Sequence, residues 1–194
     1  MNERAHISDL ALMMDEIKQC RQCERWCSRN LAIPGAGDPN ADLLLLGEAP
    51  GTNEDRTGQP FVGRAGRYLD RVLARHGLER DSLYITSILK CFHPKPPRKE
   101  QILSCMPWME RQIEIVQPKL ILAMGKTAAR ALLQLDNLGI EPAMRRWRGI
   151  PVVITCHPAA AMRFPDRDEQ FERGMIALVN GLNSGMKSSL HPTV

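Results

Sequence analysis

The fold is decided by residues 43–63, which read LLLLGEAPGTNEDRTGQPFVG. The four consecutive leucines predict a short strand that is buried on both faces of a sheet. The long segment after them is rich in turn residues and carries three acids and an aromatic residue, whereas a purely structural connection needs only a few residues. Open α/β sheets bind ligands at the carboxyl ends of their strands. We therefore expect this loop to form part of a functional site.

The rest of the chain alternates between strand-like and helix-like segments. Apolar runs predict three further strands, at residues 84–89, 119–124 and 151–155. Helical periodicity predicts a first helix capped by Ser8 and Asp9, and later helices at residues 64–76, 99–116, 127–135 and 168–182. Pro107 either kinks the third of these helices or divides it in two. Such alternation is typical of an α/β fold whose parallel sheet is covered on both faces.

Composition and charge exclude several classes of protein. The chain has 194 residues and 43% hydrophobic residues, which fits one domain over residues 1–194, with a loosely ordered tail at 183–194. It has no apolar run near the roughly 20 residues of a membrane span and no signal-like N-terminus, so we expect a cytoplasmic protein without membrane association. The net charge of +4 permits a polyanionic partner without requiring one.

The cysteines indicate a metal site. The chain has six, at positions 20, 23, 27, 91, 105 and 156, and in the cytosol they are expected to be reduced. Cys20 and Cys23 lie one turn apart, and Cys91 and Cys105 complete a Cys₄ set that suits either zinc or an iron–sulfur cluster. Cys27 is an alternative ligand in place of Cys91 or Cys105, and buried unliganded thiols are the competing interpretation.

Cys156 stands beside His157 at the end of a predicted strand, where a nucleophile would be accessible. We do not favour nucleophilic catalysis, because strand-end cysteines are commonly packed in the core and no base partner is evident in the sequence.

Several ordered motifs between residues 20 and 163 resemble the iron–sulfur, type 4 enzymes of the uracil-DNA glycosylase superfamily. They are GEAPG at 47–51, GQPFVGRAG at 58–66, YIT at 84–86, KC at 90–91, CMP at 105–107, QI at 112–113, the segment 118–125, and HPA at 157–159 with Arg163. The resemblance implies a three-layer α/β/α sandwich around a four-stranded parallel sheet. It also implies a structural [4Fe–4S] cluster on Cys20, Cys23, Cys91 and Cys105, with Cys27 as a bystander.

The resemblance further implies a DNA glycosylase that hydrolyses the N-glycosidic bond of uracil or a related deaminated base, in single- or double-stranded DNA, and that acts as a monomer. The base must leave the helix stack, and the departing base carries negative charge. Phe61 would stack on the base, and backbone N–H groups of Ala49 and Gly51 would donate to it. His157 would hydrogen-bond a base oxygen, and Glu48 would contact the attacking water.

Other residues of the matching motifs have two interpretations each. Glu54 and Asp55 are candidate carboxylates for orienting water near the substrate, or they cap turns and pair with Arg56. Met162 and Arg163 are candidates for filling the space of the extruded base and for holding phosphate, or they belong to an ordinary surface loop.

Ser87 departs from the type 4 pattern, which usually has asparagine at this position. A serine hydroxyl cannot both donate to and accept from the base edge as an amide does. The substitution therefore implies weakened uracil activity, a wider range of damaged bases, or a DNA-binding relative without activity. A zinc-stabilised nucleotide-processing enzyme is a further, disfavoured alternative. His93 is a weak candidate for trapping DNA covalently, because the loop lacks the long insertion of relatives that do so.

Overall fold

The computed structural model describes residues 3–135 and 143–188, and the strands in these ranges form one six-stranded sheet. The strands are β1 (Ala36–Gly37), β2 (Leu43–Gly47), β3 (Tyr84–Ser87), β4 (Leu120–Met124), β5 (Ala143–Trp147) and β6 (Ile150–Thr155). Their spatial order is β1-β3-β2-β4-β6-β5. The four central strands pair in parallel, which confirms the predicted four-stranded parallel sheet.

Two edge strands were not predicted from the sequence. β1 and β5 each pair antiparallel with the neighbouring strand. β1 has only two residues, and β5 exposes the side chains of three consecutive residues, Met144–Arg146. Neither strand carries the apolar alternation that identifies a half-buried strand.

Helices cover both faces of the sheet. They are α1 (Glu3–Gln19), α2 (Thr52–Thr57), α3 (Arg64–Arg75), α4 (Lys99–Val116), α5 (Lys126–Leu133), α6 (Pro158–Ala161) and α7 (Pro165–Ser188). α1, α4 and α5 pack on the face that includes Leu44 and Leu46. α3, α6 and α7 pack on the face that includes Leu43 and Leu45. Alternate leucines of one strand thus serve opposite cores, and the three-layer α/β/α sandwich is confirmed.

Three local predictions differ from the structure, and one of two alternatives is excluded. α1 begins at Glu3, so Ser8 and Asp9 lie inside the helix and do not cap it. α4 continues as one helix through Pro107, which excludes the division into two helices, although proline removes a backbone hydrogen bond there. The long loop after β2 contains α2. α7 extends to Ser188, so residues 183–188 of the predicted tail are helical, and residues 189–194 lie outside the described part of the chain.

Within the described residues, no helix has the combination of length and hydrophobicity needed to cross a membrane.

Candidate active site

The carboxyl ends of β2, β3 and β6 surround a pocket of about 440 Å³. Seven of the residues that the sequence predicts for a site line this pocket: Ala49, Gly51, Glu54, Phe61, Ser87, His157 and Arg163. The pocket therefore lies where parallel α/β sheets bind ligands, and it gathers motifs that are distant in sequence.

Phe61 packs closely against two glycines: its ring approaches Gly47 at the end of β2, and its backbone approaches Gly66. A Cβ atom on Gly47 would lie 2.4 Å from Cζ of Phe61, and one on Gly66 would lie 1.8 Å from the Phe61 carbonyl oxygen. Phe61 itself has φ +52°, in the left-handed region that a non-glycine residue rarely adopts. Gly47 therefore leaves space for the ring and Gly66 leaves space for the Phe61 backbone, and the unfavourable φ angle persists because the surrounding structure holds it.

Ser87 ends β3 directly beside this ring. Its Oγ would lie 3.4 Å from a Cβ on Gly47, and the residue is only 6% exposed. The hydroxyl is thus placed at the wall of the pocket, where the sequence predicts a group that reads the base edge.

His157 follows β6 and precedes α6, and it forms the side of the pocket opposite Ser87's strand. Its Nδ1 accepts a hydrogen bond from the backbone N–H of Ala159 at 3.1 Å. Nδ1 is therefore unprotonated, so the neutral ring carries its proton on Nε2. Burial lowers the pKa of His157 from its usual 6.5, while the charges of Glu48 and Glu54 oppose this shift. The imidazole is neutral at pH 7 and has Nε2–H as its donor.

Glu54 binds the backbone of the loop around the pocket. Its Oε1 accepts from the N–H groups of Val62 and Gly63 at 2.8 and 2.7 Å, and its Oε2 accepts from Gly51 at 3.0 Å. The carboxylate thus closes the loop, in the turn-capping arrangement that was one of its two interpretations. The Gly51 N–H is also committed to this carboxylate.

Asp55 ties the same loop to the segment before β1. Its carboxylate accepts from the backbone N–H groups of Asn30 and Leu31 and from the Asn30 side chain, at 2.6–3.2 Å. Its observed partners are therefore Asn30 and Leu31, and both acids of α2 hold the loop in position.

Two predicted site residues, Glu48 and Met162, do not line this pocket. Glu48 lines an adjoining groove of about 600 Å³ beside α4 and α5, although its charge still acts on His157. Met162 packs partly buried against the core that includes α7. Phe164, which sequence reasoning missed, is 55% exposed next to Arg163. The available signal in the sequence was an aromatic residue directly after Arg163.

The four cysteines of the predicted Cys₄ set line one small cavity together with Trp26 and Trp108. Cys27 is exposed and does not line it. Trp108 Nε1 donates to Cys20 Sγ at 3.3 Å, and Arg29 Nη1 donates to Cys91 Sγ at 2.8 Å. Burial raises the pKa of Cys105 to about 11, so metal binding must release its proton.

The chemistry of these thiols suits two kinds of metal centre. Among the described residues, no group of three His, Cys, Asp or Glu side chains forms a site for one metal ion. Four cysteine thiolates bind a single zinc ion at about 2.3 Å, and four cysteine thiolates also bind iron–sulfur clusters. The four thiols on the walls of this cavity are therefore a donor set for either centre.

Two buried cations accompany the thiols and were not predicted. Arg25 is 1% exposed and donates to the Cys91 carbonyl and to Gln101. Lys90 is also 1% exposed; burial lowers its pKa to about 8, against the charges of Cys105 and Cys91. Buried lysine and arginine have no periodic signature in sequence, so the KC motif at 90–91 was a signal for Lys90 alone.

Cys156 is 2% exposed, and its Sγ contacts the Arg167 carbonyl oxygen at 3.1 Å. It is packed in the core that includes α7, and burial raises its pKa. Both features disfavour a nucleophile at this position.

Comparison with known proteins agrees with this geometry. A family model described as the uracil DNA glycosylase superfamily matches residues 34–178. A type-4 uracil-DNA glycosylase of Saccharolobus solfataricus is 35% identical over an alignment of 192 residues, gaps included, which covers 92% of this chain and 88% of the relative. That of Archaeoglobus fulgidus is 36% identical over 169 residues, 81% and 85% of the two chains. A type-5 uracil-DNA glycosylase of Pyrobaculum aerophilum is 33% identical over 165 residues, 74% and 72% of the two chains.

The matched range contains β2 to β6 and nearly every residue of the pocket, and the relatives align over most of their own length. The chain therefore belongs to the uracil-DNA glycosylase superfamily.

Proposed function

We propose that this protein is a DNA glycosylase that hydrolyses the N-glycosidic bond of uracil, or of a related deaminated base, in base excision repair. The relatives described above are named for this activity on uracil. The single observation that carries the proposal is the convergence of Phe61, Ser87 and His157 on one pocket at the carboxyl edge of the sheet. A base reaches such a pocket only when it is turned out of the DNA stack.

The pocket residues supply the two things that the reaction needs, a bound base and a stabilised leaving group. Phe61 stacks on the extruded base. Cleavage leaves negative charge on the departing base, and a donor fixed in advance at that oxygen lowers the barrier. The Nε2–H of His157 is this donor, and the backbone N–H of Ala49 is the second, since Gly51 donates to Glu54.

Glu48 is the residue that we propose for contact with the attacking water. Its carboxylate lies on the groove side of the pocket and acts electrostatically on His157. A carboxylate in this position also offsets the positive charge that develops on the sugar. Glu54 and Asp55, by contrast, serve to hold the loop.

The rim of the pocket provides the contacts to DNA. Arg163 lines the pocket and is exposed, so it is placed to hold a phosphate. We propose that Phe164 enters the space left by the extruded base, because its ring is exposed while Met162 packs against the core.

We further propose that Cys20, Cys23, Cys91 and Cys105 hold a [4Fe–4S] cluster. The four thiols belong to the segment after α1, the loop after β3 and helix α4, which the cluster would join. Its contribution is folding free energy, because the ligands come together only in the folded chain. Iron gives a brown protein with absorbance at about 400 nm, whereas a zinc protein is colourless.

The decisive experiment is an incision assay on purified, iron-replete protein with a panel of oligonucleotides. Uracil, hypoxanthine and xanthine are each offered in single- and double-stranded DNA. Cleavage of uracil, or of one of the other deaminated bases, supports the glycosylase. Binding of all substrates with cleavage of none contradicts it and favours a DNA-binding relative, which is one of the alternatives that Ser87 raises.

We also propose that residues 1–194 form one domain that acts on DNA as a cytoplasmic monomer. The single sheet, which takes helices from both ends of the described chain, supports one domain. A molecular mass measured by light scattering tests the monomer against the chain mass of 21.8 kDa.

A further inference from the structure

Lys90 is a buried lysine that the proposed reaction does not use. Its three ammonium protons have three acceptors: Thr86 Oγ1 at 2.8 Å, the Ser87 carbonyl oxygen at 2.6 Å, and Gln112 Oε1. None of these acceptors carries a charge. A buried charge is unfavourable unless an opposite charge accompanies it.

The opposite charges near Lys90 come from cysteines. Within the described part of the chain, no carboxylate forms an ion pair with its ammonium group. Lys90 lines the same small cavity as the four thiols of the proposed cluster site, and it directly precedes Cys91 in the chain. Thiols that bind metal are deprotonated. The cation therefore gains its counter-charge when the cluster binds.

The same residue is bonded to the wall of the base pocket. Its ammonium group holds the carbonyl of Ser87, and its own carbonyl accepts from the N–H of Ile33 at 2.7 Å. Ser87 and Ile33 both line the pocket. Two of its acceptors, Thr86 and Gln112, each donate to the Pro34 carbonyl at 2.7 Å.

From these contacts we propose that Lys90 is a positioning residue that couples the cluster to the base pocket. Its charge stabilises the cluster-bound thiolates, and its hydrogen bonds set the positions of Ser87 and of the segment at Ile33 and Pro34. The inference rests on the proposed function, since it requires both the cluster and the base pocket. It adds that the cluster does more than stabilise the fold. When Lys90 lacks the charge of the cluster, Ser87 and the segment at Ile33 and Pro34 are less well ordered.

The test separates charge from packing. Lys90→Met removes the charge and the donors at similar length, and Lys119→Met makes the same change at a surface lysine paired with Asp42. We expect Lys90→Met to lose iron to a chelator about tenfold faster than wild type or faster, because its cluster lacks a buried counter-charge. We expect the gap in Tm between iron-loaded and iron-free protein to shrink in Lys90→Met and to stay unchanged in Lys119→Met.

Thr86→Val tests whether the hydrogen bonds of Lys90 position the pocket residues. This variant remains informative if Lys90→Met does not fold. It removes one acceptor and the bond to Pro34 but keeps the charge of Lys90. We expect iron retention as in wild type, with an altered ratio of cleavage rates for uracil and hypoxanthine per iron-loaded chain.

Four results overturn the proposal. If wild type holds iron and Lys90→Met has the same Tm gap and the same rate of iron loss as wild type, this inference alone is overturned. Loss of iron from Thr86→Val as fast as from Lys90→Met, or an unchanged base ratio in Thr86→Val, assigns the network to packing. A wild type that holds no iron overturns the proposed cofactor and the coupling with it.

Discussion

The ring of Phe61 lies over the imidazole of His157, with the ring centroids 6.0 Å apart and the planes inclined by 28°. Phe61 follows α2 and His157 follows β6, so the fold brings together two motifs that have β3 to β6 between them in the sequence. The face that stacks on a base and the donor that stabilises the leaving base therefore belong to one structural unit. Changes to either residue should affect catalysis more than stability.

Phe61→Ala should lower the rate of uracil release by about 10- to 100-fold, because stacking on an aromatic ring is worth about 1–3 kcal/mol per base. Gly47→Ala should produce a similar loss without touching the base directly, since the new Cβ would lie 2.4 Å from the Phe61 ring. Single-turnover cleavage of a uracil oligonucleotide measures both. Wild-type rates in both variants would place the stacking surface elsewhere.

The burial of His157 makes a prediction about pH. The folded protein holds its pKa below the 6.5 of the unfolded chain, so the unfolded state binds more protons between these two values. This contribution to stability is complete above pH 6.5 and is lost as the pH falls through the folded pKa. Wild type should therefore lose more of its free energy of unfolding between pH 7.5 and pH 5 than His157→Asn does.

Urea unfolding at both pH values measures this difference, and the other histidines cancel between the two proteins. Equal losses in wild type and variant would mean that the imidazole is not desolvated. The variant should also cleave more slowly at pH 7.5, because it lacks the Nε2–H donor.

Buried elements of this fold are predictable from the sequence, whereas exposed strands and the contacts of single carboxylates are not. The leucines of β2 predict a buried strand because each side chain enters a core, whereas β5 has no such signal because its side chains at 144–146 are exposed. Motif spacing identifies the pocket but not the direction of each carboxylate. Glu54 bonds to the loop backbone while Glu48 lines the adjoining groove, and these positions depend on tertiary contacts that no local pattern encodes.

Glu54→Gln should destabilise the loop and slow cleavage. One carboxylate oxygen becomes an NH₂ group, which faces either the single N–H of Gly51 or the two N–H groups of Val62 and Gly63. Leaving such a group unsatisfied costs about 1–3 kcal/mol. Chemical denaturation and proteolysis at residues 51–63 measure the effect. Glu172→Gln, on α7 in a partly exposed ion pair with Arg75, is the control and should leave cleavage unchanged.

Ser87→Asn should raise the selectivity for uracil over other deaminated bases. An amide donates and accepts at once and so matches the edge of uracil, whereas a hydroxyl offers one proton. Sites that hydrogen-bond a polar group discriminate strongly against bases that lack it. The ratio of kcat/KM for uracil and hypoxanthine gives the answer, and an unchanged ratio would mean that the base edge is read by another group.

Phe164→Ala should weaken binding and cleavage of double-stranded substrate more than of single-stranded substrate. A wedge stabilises the extruded base by occupying its place in the stack, and a single strand has little stacking to replace. Met162→Ala is the matched comparison, since Met162 packs against the core while Phe164 is 55% exposed. Met162→Ala should lower Tm and leave the ratio of double- to single-stranded activity near that of wild type. If Met162→Ala changes this ratio and Phe164→Ala does not, the wedge is the methionine, and its packed position must open when DNA binds.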